Sequence, residues 1–92
     1  MYLSFNIIIK GIVQGVFYRV STQQKANQIG IVGWVRNNHD GSVEALFEAE
    51  EDQIVEMLEW CKIGPENASV ESLSVLSKEQ IEELSYDTFE IR

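Results

Sequence analysis

The chain has 92 residues, one domain's worth, and carries a formal net charge of -8 at pH 7. An acidic surface repels nucleic acid and anionic lipid at long range, so DNA, RNA and membrane partners are discounted, and any phosphate site must rest on local positive potential. The single cysteine, Cys61, excludes a disulfide within the chain.

The first segment alternates. Leu3, Phe5, Ile7 and Ile9 share one face, and Ser4, Asn6 and Lys10 share the other, the pattern of a half-buried strand. No basic residue precedes this apolar start, so it does not read as a signal peptide, and no run reaches membrane-spanning length. The expected compartment is the cytoplasm. The strand runs into a loop, Gly11 to Tyr18, that contains two glycines. Ser21-Thr22-Gln23-Gln24 fits a capping box opening a helix, although the first turn can equally begin one or two residues earlier, near Val20. Ala26 and Ile29 continue an apolar stripe, and Gly30 is a natural stop.

Two strands follow, Ile31 to Asn37 and Ser42 to Ala49. Between them, Asn38-His39-Asp40-Gly41 carries the Asp-Gly signal of a hairpin. A second helix begins among Glu50, Glu51 and Asp52, acids suited to a helix N-terminus. Ile54, Met57, Leu58 and Cys61 form its core-facing stripe, and Gly64-Pro65 ends it. A fourth strand is expected near Val70 to Leu76. Lys78 to Leu84 reads as a polar connection with at most one helical turn, and Thr88 to Arg92 closes the chain. The order β-α-β-β-α-β implies an α+β, ferredoxin-like sandwich, with two helices on one face of an antiparallel sheet. That fold hosts many functions and decides none.

The informative residues are Gly11-Ile12-Val13-Gln14-Gly15-Val16-Phe17-Tyr18-Arg19 and, further on, Gly33-Trp34-Val35-Arg36-Asn37. A glycine-rich strand-to-helix junction can turn successive backbone N–H groups toward an anion, with a helix N-terminus behind them. Arg19 sits at that junction, where a guanidinium fork matches a phosphate. Taken alone, the loop also fits an ordinary connection with a surface arginine.

The two motifs together resemble the acylphosphatase family. Its signatures are a Gly-x-Val-Gln-Gly-Val-x-(aromatic)-Arg loop after the first strand and Gly-Trp-Val-x-Asn on the second, followed closely by Asp-Gly and a valine, here Asp40, Gly41 and Val43. Trp60-Cys61, Gly64-Pro65 and Phe89-Glu90-Ile91-Arg92 also look like family features, so the resemblance spans essentially the whole chain. It implies a single acylphosphatase-like domain over residues 1–92, hydrolysing acyl phosphates to a carboxylate and inorganic phosphate. Gly15, Val16, Phe17, Tyr18 and Arg19 would bind the phosphoryl group, and Asn37 would orient the attacking water. Arg19 and Asn37 are thus the expected catalytic pair. No metal and no cofactor is expected, and the default assembly is a monomer.

The chemistry agrees with so sparse a site. The leaving group is a carboxylate with a pKa near ~4, so it departs without a general acid. Asparagine takes up no proton near neutral pH and serves as a positioner. The loop lacks Gly-Lys-Ser/Thr and is not a nucleotide P-loop. Cys61 lies on an apolar stripe and reads as structural. His39 reads as a solvated hairpin residue, and Glu48, Glu50, Glu51 and Asp52 as a solvated strand end and a helix start. Phe17, Tyr18 and Ala49 depart from common choices in the family, which have glycine, phenylalanine and glycine there. Phe17 and Tyr18 bear on substrate preference and rate. A binding or regulatory module that keeps the anion cradle without turnover is the alternative.

Overall fold

The computed structural model describes residues Met1–Arg92. Strand β1 spans Tyr2–Ile12, helix α1 Tyr18–Ile29, β2 Val32–Asn37, β3 Val43–Ala49, α2 Glu51–Cys61, β4 Ser69–Ile81 and β5 Phe89–Ile91. The strands form one sheet in the order β4-β1-β3-β2-β5. Leu3, Phe5, Ile7 and Ile9 of β1 lie opposite Ala49, Phe47, Ala45 and Val43 of β3, and all eight are buried on one face. That face packs against the helices, chiefly through Thr22 and Ala26 of α1 and Ile54, Met57 and Cys61 of α2. The alternation read from the sequence is therefore the core itself. The fold is the expected ferredoxin-like α+β sandwich.

Four details differ from expectation. The sheet is mixed: β4, β1, β3 and β2 are antiparallel neighbours, but β5 runs parallel to β2. The chain leaves β4 at one edge and returns as β5 at the other, so the segment between must cross the sheet. It does so over the face away from the helices, where the Ser85 N–H donates to Glu48 Oε1 at 2.6 Å and Trp34 Nε1 donates to the Tyr86 hydroxyl at 3.2 Å. Glu48 is consequently buried, 3% exposed, and not a solvated strand end.

The expected connection Lys78 to Leu84 is instead strand as far as Ile81, with Lys78 to Ile81 pairing Phe5 to Tyr2. Two register shifts in the β1–β4 ladder break the period-2 pattern, and most of β4 is exposed, so little hydrophobic signal was there to read. Finally, α1 starts at Tyr18, three residues before the expected Ser21. Ser21 does not cap the helix; its N–H is already paired with the Phe17 carbonyl at 3.0 Å.

Gly33 explains why the Gly-Trp-Val motif needs its first residue. It lies opposite Phe47 with φ 137, and a Cβ there would run into the Leu46 carbonyl. Only glycine lets β2 approach β3 so closely.

Candidate active site

The site is built at the end of the sheet where β1 hands over to α1 and β2 turns into β3. Val13, Gln14, Gly15, Phe17, Tyr18, Arg19, Val20 and Asn37 line one cleft of about 250 Å³. Arg19 and Asn37, 18 positions apart in sequence, are thus brought to the same cleft. Of the expected phosphate-binding residues, Gly15, Phe17, Tyr18 and Arg19 line it. Val16 does not, because its side chain packs against the core.

The backbone of this loop has spare donors. No protein group accepts from the N–H groups of Gly15 to Val20, and the first to be paired is that of Ser21. Gly15 at φ 75 and Phe17 at φ 63 put left-handed bends in the loop. These bends with successive free N–H groups are the makings of an anion nest. The two helices contrast sharply in how they begin. Helix α2 has Glu51 and Asp52 in its first turn and a capping box between Glu50 and Gln53. Helix α1 has no acid in its first turn and no side-chain cap. In a chain with 15 acidic residues, the positive end of α1 has been left unopposed.

Arg19 is partly buried and makes no ion pair, whereas Lys25, Arg36 and Arg92 each face a carboxylate. Asn37 ends β2 and is exposed, and its side chain makes no hydrogen bond to protein. The next residue does the work of the turn. The Asn38 N–H donates to the Ser42 carbonyl at 2.9 Å and its side chain donates to Ser42 Oγ at 3.1 Å. Asp40 accepts from the Ser42 N–H and hydroxyl, and these hydrogen bonds hold its carboxyl below the usual carboxylate range. His39 is exposed at the hairpin tip.

Gln14 lines the cleft and joins the loop to the hairpin, a contact not expected from the sequence. Its Nε2 donates to the Asn38 carbonyl at 2.8 Å and to the Ser42 carbonyl at 2.9 Å. One amide thus grips both ends of the hairpin turn and fixes the distance between the Arg19 loop and Asn37. Its place inside the Val-Gln-Gly motif was the available signal, but its partners lie 24 and 28 residues away.

Tyr18 anchors the loop from behind. Its ring is buried, its hydroxyl donates to the Cys61 carbonyl at 2.6 Å, and it packs at 5.7 Å against Trp60. The hydroxyl that a phenylalanine would lack therefore has a partner. Burial raises the Tyr18 phenol above its ordinary range, with Cys61 adding to the effect. Burial also pushes the Cys61 thiol up to about 12. A thiol so placed is no nucleophile at neutral pH. Glu44 lies beside the hairpin. Burial works against its charge, but Arg36 at 2.9 Å, together with Asn6 and Asn38, outweighs that and holds its carboxyl below the usual range.

Comparison with known proteins points the same way. The acylphosphatase family model matches residues 5–91. An acylphosphatase of Albidiferax ferrireducens is 46% identical over 77 residues, covering 84% of each chain. The crystal structure of acylphosphatase from Bacillus subtilis superposes with a TM-score of 0.91 at 34% identity, over 98% of both chains. An acylphosphatase from Coxiella burnetii gives a TM-score of 0.86 at 34% identity, over 99% of this chain and 93% of that one. With its sequence matched nearly end to end and its fold superposed on solved members, the chain belongs to the acylphosphatase family.

Proposed function

We propose that this acylphosphatase hydrolyses acyl phosphates by in-line attack of water held by Asn37 on a phosphoryl group held by Arg19 and the loop N–H groups of Gly15 to Arg19. The water oxygen bonds to phosphorus, and the P–O bond to the acyl group breaks. The carboxylate leaves with the electron pair, and the water's protons end on phosphate and solvent. No covalent intermediate is needed: the one hydroxyl among the lining side chains, that of Tyr18, is tied to the Cys61 carbonyl. No metal is needed either, because a carboxylate leaves readily and the negative charge of the phosphoryl oxygens is met by the guanidinium and the backbone dipoles. The chain works on small molecules, as a monomer in the cytoplasm, with inorganic phosphate as the second product.

One observation carries this reading. The chain's only cation in the cleft, Arg19, has no carboxylate partner, and it stands beside a row of unpaired N–H groups at an uncapped helix start. All of these donors want an anion. Substitution tests the roles. Asn37→Ala is expected to lower kcat about 10²-fold or more, by analogy with removing an oxyanion donor. Near-full activity in that variant would remove Asn37 from the mechanism. Arg19→Lys is expected to fail as well, because a point charge does not replace a fork. A fully active lysine variant would move the phosphoryl site elsewhere.

A further inference from the structure

We propose that Phe17 is the specificity-determining residue of this site, its ring being the wall against which the acyl group rests, so that the cleft selects acyl phosphates with an uncharged apolar acyl group, aromatic above all. This rests on the acyl phosphate reading given above.

Phe17 is the one non-glycine residue with a positive φ, at φ 63 and ψ 25. A bulky side chain is uncommon in that conformation and strained there, whereas glycine takes it freely. No packing of the ring offsets the strain. The ring is 76% exposed and belongs to no core cluster. A large apolar ring held out in water, in a strained backbone, at the mouth of an anion-binding loop points to a ligand contact.

Its neighbours agree. Val20, one helical turn on, is 44% exposed and lines the same cleft. The phosphoryl oxygens have their partners in the loop N–H groups and Arg19. The apolar surface of Phe17 and Val20 is left for the acyl substituent. Aromatic rings pair with a stabilisation beyond simple burial, which favours an aryl group. The cleft holds no second cation. An acyl group with its own carboxylate therefore finds no counterion and meets a surface of net charge -8.

The test compares kcat/KM for benzoyl phosphate and acetyl phosphate in wild type, Phe17→Gly and Phe17→Trp. The readout is the benzoyl-to-acetyl ratio, taken relative to wild type so that the substrates' intrinsic reactivities cancel. The Phe17→Gly ratio is expected to fall about five- to tenfold, mainly through a higher KM for benzoyl phosphate, and Phe17→Trp to keep it. Glycine suits the left-handed position, so this variant is expected to fold with an unchanged or raised thermal midpoint. A ring that merely shaped the loop would slow both substrates in proportion. An unchanged ratio in Phe17→Gly, with wild type active on both, would overturn the assignment of Phe17 alone. A wild type inactive on both substrates would overturn the acyl phosphate reading and this assignment with it.

Discussion

Arg19 and Cys61 sit in opposite environments, one open to a cleft and one sealed in the core. Arg19 is left without a protein partner in a cleft of spare donors. Cys61 is fully buried in the core, with its thiol pushed up to about 12 by the loss of water around it. At pH 8 the native protein is therefore expected to resist a colorimetric thiol reagent and to react stoichiometrically only once unfolded. Rapid labelling of the folded protein would show that α2 opens there. Asn37 and Asn38 make the same point between adjacent residues. Asn38 is bonded into the turn, and Asn37 is free at the cleft.

Among elements, the site depends on how the β1–α1 loop meets the β2–β3 hairpin, and Gln14 is the joint. Its two hydrogen bonds leave no slack between the hairpin carbonyls and the loop. On the proposed role of Asn37, Gln14→Leu is expected to lower kcat at least tenfold in wild type, but to add little in an Asn37→Ala background, since both changes would disturb the same water-holding group. Full additivity in that double-mutant cycle would mean that Gln14 acts elsewhere.

The elements also mark where the sequence could be read and where it could not. Strands β1 and β3 were legible because the core-facing residues of each alternate and are buried, and the hairpin because Asp40-Gly41 announces it. The start of α1 was misplaced because Ser21 and Gln24 imitate a capping box, while the true boundary is set by the left-handed Phe17, which carries no sequence signal. The second half of β4 was missed because neither of its faces is buried.

Seen whole, the molecule ties its chain end back across the sheet. The crossover after β4 is held by Ser85 to Glu48 and by Tyr86 to Trp34, with the Arg36 and Arg92 guanidinium groups 5.0 and 5.5 Å from the Trp34 ring centroid. No local pattern reveals the burial of Glu48, whose partner lies 37 residues away. Glu48→Ala is expected to destabilise the fold by about 2 kcal/mol, chiefly by leaving the Ser85 N–H without a charged acceptor. Urea unfolding checks this. A loss below about 0.5 kcal/mol would mean that water replaces the carboxylate without cost, as it does at an ordinary surface site. The family motifs were legible because they are local runs of sequence, whereas the contacts that hold the two edges of the sheet together are not.

In the proposed mechanism, an unpaired arginine on a donor-rich loop makes this fold a metal-independent hydrolase of acyl phosphates. Hydrolysis of benzoyl phosphate by wild type and by Arg19→Gln, both with a metal chelator present, tests it most directly. Wild type is expected to show chelator-resistant turnover, and the variant a loss of at least about 10²-fold. Equal turnover by the two, or none by well-folded wild type, would contradict it, and the second result would leave a module that binds an anion without hydrolysing it.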